Sequence, residues 1–225
     1  MSQILDGIFV VSLEQAVAAP YCSRLLADSG ARVIKVERPE GDFARYYDKV
    51  VHENSAYFSW LNSGKESICI DLNDPDDLKT MKSMLKKADI FIQNLKPGVA
   101  EKYSLNHSIN QTQNPRLITC NISGFGKTGP YASMKAYDAL IQAETGLCSV
   151  TGPPGIPSKV GASICDISTG LTAYSEILKA IYDRENTQKG SEIDVSLFDV
   201  LAEWMSVPLA YYEYANKVPS GTGLD

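Results

Sequence analysis

Short apolar runs alternate with stretches of helical period along most of this chain. Residues 8–11, 33–36, 68–72, 90–92, 117–122 and 193–195 are apolar or β-branched runs that read as strands. Between them, residues 20–29, 74–87, 167–182 and 198–212 space their apolar side chains as helices do. Pro20 suits a first helical turn and Gly30 a C-terminal cap. Asp74-Pro75-Asp76-Asp77 opens a helix with acids and Lys86-Lys87 closes it with bases, the order that the helix dipole favours. Strand, helix, strand, repeated with short connections, predicts an α/β fold: a Rossmann-like parallel sheet with helices on both faces. Such sheets bind ligands beyond the carboxyl ends of their strands. That singles out residues 12–19, 37–42, 94–98 and 123–129. Residues 151–161, with three prolines and three glycines, read as an ordered loop.

Composition narrows the chemistry. Apolar residues make up 44% of the 225 positions and charged residues 21%, ordinary for a globular protein. No apolar run reaches the ~18–20 residues that cross a membrane, and the first residues lack a secretory pattern, so a cytoplasmic protein without membrane partners is expected. Cys22, Cys69, Cys120, Cys148 and Cys165 are odd in number and form no CxxC pair, so they are expected as buried thiols in a reducing compartment. His52 and His107 have no metal-ligand partner at helical or hairpin spacing, which argues against a metal site and against a Ser-His-Asp triad. The net charge of −6 argues against a nucleic-acid partner. A small phosphorylated ligand needs only a few local cations. The first strand is not followed by GxGxxG, and no P-loop is present, so a nicotinamide dehydrogenase is not expected.

Three segments can carry chemistry, and each has an ordinary structural explanation beside it. Arg38 lies just past a strand end, where a cation reaches a phosphate or an adenine ring, or merely decorates a turn. Asn94-Leu95-Lys96-Pro97-Gly98 follows another strand with residues that also explain themselves as a turn. Asp166 stands between an apolar stretch and a helix, as an N-cap does. A helix start also favours an ionised carboxylate, which is a usable nucleophile.

Taken together and in order, a larger set of landmarks resembles the class III coenzyme A transferases, the family of formyl-CoA transferase and carnitine CoA-transferase. They include Gln15-Ala16-Val17-Ala18-Ala19-Pro20-Tyr21, Leu25-Leu26-Ala27-Asp28-Ser29-Gly30-Ala31, Val33-Ile34-Lys35-Val36-Glu37-Arg38-Pro39 and Asn62-Ser63-Gly64-Lys65-Glu66-Ser67-Ile68. They continue through Gln93-Asn94-Leu95-Lys96-Pro97-Gly98, Ser123-Gly124-Phe125-Gly126, Tyr137-Asp138 and the Asp166 segment. The resemblance runs over essentially the whole chain. It implies that Asp166 is the catalytic nucleophile and Asp138 the acid paired with the active site. It implies coenzyme A contacts at Val17, Ala18, Arg38, Leu72, Asn94, Leu95, Lys102, Lys135 and Tyr137. The cations would meet phosphates, and the apolar members would hold adenine and the pantetheine arm. Asn73 departs from the family, where many relatives carry a CoA-facing lysine.

The implied reaction moves coenzyme A from an acyl-CoA donor to a carboxylic acid, a small dicarboxylate by the 135–146 stretch, through an aspartyl-CoA thioester. Coenzyme A is then a substrate, and no prosthetic group or metal is needed. An acyl-CoA racemase of the same fold is the alternative, but its histidine position falls on Tyr137. A non-catalytic CoA-binding subunit is another. The family's chains are longer and interlock as homodimers. On that reading residues 1–215 are the large CoA-binding domain, and 216–225 begin a linker to a second, smaller domain. Leu197, Phe198, Val200, Leu201 and Trp204 are then expected to be exposed unless another segment or chain covers them.

Overall fold

A computed structural model describes residues 3–221. Its centre is a sheet of six parallel strands in the order β3-β2-β1-β4-β5-β6. The strands are β1 (Phe9–Leu13), β2 (Arg32–Glu37), β3 (Glu66–Cys69), β4 (Ile90–Gln93), β5 (Ile118–Ser123) and β6 (Glu192–Ser196). β1, β4 and β5 are Val/Ile-rich and almost wholly buried, as strands covered on both faces must be.

Successive strand residues feed opposite faces. Val10, Ile90, Ile92, Ile118 and Cys120 pack with α1 (Ala18–Asp28), α8 (Ile164–Thr187) and α9 (Leu197–Trp204) through Cys22, Leu26, Ala173, Ile177 and Leu201. Val11, Leu13, Val36 and Phe91 pack on the other face with Met81 and Leu85 of α3 (Pro75–Leu85) and Ala100 of α4 (Val99–Lys102). The α3 start follows its sequence: Asp74 accepts hydrogen bonds from Asp76 N and Asp77 N, and Pro75 occupies the first turn. The chain winds from β1 to β2 and β3, then returns to place β4 on the other side of β1. This reversal opens a crevice where β1 and β4 end, the usual ligand position in such folds.

Several expectations are corrected. The third strand is Glu66–Cys69, not 68–72, because pairing with β2 sets its register while most of this edge strand is exposed. The helix expected over 198–212 is two helices, α9 and α10 (Ser206–Ala215), broken at Met205. Pro208 has no N–H to continue α9 and fits instead within the first turn of α10. Leu197 and Leu201 are buried and Phe198 and Val200 pack on the core, so of the α9 residues named above only Trp204 is exposed. Five further apolar side chains are exposed on α10: Val207, Leu209, Tyr211, Tyr212 and Tyr214.

Cys69 is exposed and Cys148 half-buried, whereas Cys22, Cys120 and Cys165 are buried as expected. Short helices not visible as a period are α2 (Ala56–Leu61), α4, α5 (His107–Gln113), α6 (Asp138–Glu144), α7 (Leu147–Val150) and a 3-10 turn at Phe43–Tyr46. Of the segment read as a linker, 216–221 has no regular structure and Gly221 N donates to Ser149 O; 222–225 lie outside the described residues. No helix among the described residues is long and apolar enough to cross a membrane.

Candidate active site

The residues singled out by sequence gather along the carboxyl edge of the sheet. At one end, Arg38 follows β2 as an exposed side chain whose Nε donates to Gly41 O at 3.0 Å. Leu72, Leu95 and Tyr103 pack against the same core face, and Lys102 lies over the Tyr103 ring, 4.6 Å from its centroid. Tyr103 Oη in turn donates to Asn73 Oδ1 at 2.8 Å, so Asn73, standing where relatives carry a lysine, sits beside Lys102. A small cleft joins Arg38 and Leu95 across the ends of β1 and β2.

At the switch point the Asn94 side chain grips Gln15 twice, accepting from its N–H at 3.0 Å and donating to its carbonyl at 2.8 Å. Val17 and Ala18 follow at the start of α1. Both residues are buried. Leu72 and Leu95 are each partly exposed.

A buried charge cluster underlies this turn. Glu14 accepts from Lys65 at 2.7 Å, Ser12 at 2.5 Å and Ser23 at 2.6 Å, and Lys35 pairs with Asp42 at 2.8 Å. Burial pushes the Glu14 carboxyl up, but Lys65 and Lys35 outweigh it and hold the group at about 2.

Asp166 lies in the first turn of α8, partly buried. Gly170, one turn later on the same face, packs so tightly on α1 that an added Cβ would lie 2.6 Å from Ala18 O. The first turn of α1 has no side-chain cap. Among the described residues none donates a hydrogen bond to the Asp166 carboxylate. Burial, then the charge of Asp138, pushes this carboxyl up to about 7.

The sequence argument had the helix start favouring the ionised form, and this is corrected because the nearby amides are already taken. Asp138 Oδ1 accepts from Cys165 N at 2.8 Å and from Asp166 N at 3.4 Å, and its Oδ2 accepts from Gln142 Nε2 at 2.7 Å. Asp138, at the start of α6, is the cap of α8; the reading of Asp166 as that cap is corrected. Tyr137 and Lys135 are exposed beside it, on a loop seated where Gly124 leaves no room for a side chain against Ala136.

Sequence reasoning missed the aromatic wall on the far side of Asp166. Tyr57 Oη lies 2.9 Å from Ser163 Oγ, and Tyr47 meets the Tyr57 ring edge-on at 5.8 Å between centroids. Burial and then the Asp166 charge push the Tyr47 phenol up to about 12. The Tyr47, Tyr57 and Trp60 aromatics within 47–60 were the available signal.

A cleft of about 200 Å³ lies beside the strip rather than at Asp166, lined by residues of β4, β5 and β6. There Lys127 lies between two carboxylates, 2.6 Å from Glu192 and 2.8 Å from Asp194. No cluster of potential metal ligands occurs among the described residues.

Comparison with known proteins gives the family. Residues 5–225 match the family described as CoA-transferase family III. The chain is 40% identical to an acetyl-CoA:oxalate CoA-transferase of Acetobacter aceti over 221 residues, 97% of this chain and 57% of that protein. It is also 40% identical to a succinate–glutarate CoA-transferase of Agrobacterium fabrum, again over 97% of this chain and 57% of the relative. A solved structure described as a CAIB/BAIF family protein from Brucella suis superposes with a TM-score of 0.93 at 37% identity, covering 98% of this chain and 60% of that one. The chain thus spans a little over half the length of these relatives. By sequence along nearly its whole length and by fold, the chain belongs to CoA-transferase family III.

Proposed function

We propose that the protein transfers coenzyme A from an acyl-CoA donor to a carboxylic acid, with Asp166 as the covalent carrier. The observation that carries this reading is a partly buried carboxylate without hydrogen-bond donors among the described residues, in the first turn of α8, the helix that packs on α1. A carboxyl kept near neutrality is, once ionised, more basic than an ordinary carboxylate and a better nucleophile.

In the proposed sequence a carboxylate oxygen of Asp166 attacks the donor thioester, giving an acyl-aspartyl anhydride and releasing CoA thiolate. The thiolate attacks the aspartyl carbonyl, forming the aspartyl-CoA thioester and freeing the donor acid. The acceptor carboxylate attacks that thioester, and the returning thiolate takes the acceptor acyl group and regenerates Asp166. Covalent carriage divides one difficult exchange into easier steps. The Ala18 and Ala19 N–H groups, without partners inside α1, are the donors placed to stabilise the oxyanions.

Arg38, Lys102 and Lys135 supply cations for the phosphates, and Leu72 and Leu95 apolar surface for adenine and pantetheine. Asn94 acts by holding Gln15, Asp138 by capping α8, and Tyr137 borders the entry. A small dicarboxylate is the proposed acceptor; oxalate and glutarate in the names of two relatives support that class. The apolar side chains exposed on α10 support the homodimer that the family resemblance implies.

The test is transfer of label from a free dicarboxylic acid into acyl-CoA, with hydroxylamine trapping of the thioester. The parent should yield a hydroxamate on the peptide containing Asp166, and Asp166→Asn should yield neither hydroxamate nor exchange. Near-normal exchange by Asp166→Asn would exclude the mechanism. CoA binding without any turnover by the parent would favour a non-catalytic CoA-binding subunit.

A further inference from the structure

Ala16 has a backbone φ of 66°, in the left-handed region that residues with a Cβ seldom adopt. Such strain persists only where the surroundings over-determine it. Asp42 Oδ1 accepts from Ala16 N at 3.1 Å and from Ala44 N at 2.9 Å, while Asn94 holds the preceding Gln15 through both of its main-chain groups. Asp42 is itself immobilised: it is 2% exposed, and its Oδ2 accepts from Lys35 Nζ, which is also buried. A relaxed φ near roughly −65° would rotate the peptide plane after Ala16 and swing the Val17 and Ala18 amides out of place.

We infer that Asp42 is a positioning residue, which holds Ala16 left-handed and so sets where the first turn of α1 meets the ligand and Asp166. The inference rests on the CoA-binding reading proposed above. Asp42 touches no reacting atom. It acts through the main chain of residues 15–18, and the contact with Lys35 at 2.8 Å keeps it aimed.

Asp42→Ala alone leaves Lys35 buried without its main partner and risks misfolding. The test therefore uses Asp42→Ala with Lys35→Met, which removes both charges; Glu14 keeps Lys65, Ser12 and Ser23. Titration calorimetry with CoA should show affinity about tenfold weaker than the parent, equivalent to about 1.4 kcal/mol. Adding Ala16→Gly should recover most of the loss, because glycine adopts the left-handed conformation without a Cβ penalty. A purely structural defect would not be rescued in this way.

Parent-like affinity in the double variant, or no recovery with glycine, would overturn the inference. If the parent itself binds no CoA, the underlying reading fails, and hydrogen exchange at the Ala16 amide decides the clamp separately. Exchange that is slow in the parent and fast in the double variant supports it, and equal rates overturn it.

Discussion

Replacing Asp166 with Asn should stabilise the protein, by an amount that depends on pH. The wild-type carboxyl is held at about 7 in the fold against 3.8 without it, by burial first and the Asp138 charge second. Below pH 3.8 both folded and unfolded chains carry the proton, and the charge costs nothing. Between 3.8 and about 7 the folded state binds more protons than the unfolded state, so stability falls as pH rises. Above about 7 the full cost is present. At about 1.4 kcal/mol per pH unit the cost reaches about 4 kcal/mol, and solvent contact at this partly exposed side chain reduces it to about 2–4 kcal/mol. Asn is neutral throughout and nearly the same shape, so it escapes the cost. Urea unfolding of both proteins at pH 3, 5, 6, 7 and 8 would show a stability difference near zero at the acid end that grows toward pH 8. A difference that is constant with pH, or Asn less stable at pH 8, would refute the claim that burial and Asp138 disfavour this charge.

Glu14 gives the opposite pH dependence. Its carboxyl is held at about 2 in the fold, against 4.5 without it, so its stabilisation is complete above 4.5 and is lost as pH falls toward 2. Glu14→Gln should flatten that acid limb in thermal melts. Asp138→Ala removes the acceptor of two α8 amides and should cost about 0.5–2 kcal/mol in chemical unfolding, with Asp138→Asn costing less. Gly170→Ala forces α1 from α8 and should cost about 1–3 kcal/mol and reduce acid exchange, while Leu171→Ala on the exposed side should do neither. Arg38→Ala should weaken CoA binding by calorimetry while shifting stability by no more than about 0.5 kcal/mol, since the side chain is exposed.

The sheet was legible because β1, β4 and β5 are buried on both faces and their sequences are correspondingly apolar. Edge strand β3 was placed two residues too late, because its apolar residues do not define a buried face; hydrogen bonding to β2 does. Helices of four to seven residues, such as α4, α6 and α7, are too short to establish a period. Within the site, the strand-end positions Arg38 and Asn94 followed from topology alone. The capping of α8 by Asp138 spans 27 residues of sequence and joins two helices, so local patterns read Asp166 as the cap instead. The direction of the Asp166 shift failed for the same reason: it depends on which carboxylate receives the amides.

An open sheet has two edges, and each presents unpaired main-chain groups to any extended chain that approaches. At β3 the edge is bordered by the two-pronged Arg32–Glu66 ion pair, at 2.7 and 3.0 Å. At β6 the Glu192 and Asp194 side chains hold Lys127 between them. An incoming strand would have to strip water from these charges before gaining a single ladder bond. Both borders therefore act as a barrier to strand addition, one that guards the fold against aggregation independently of anything that happens at Asp166.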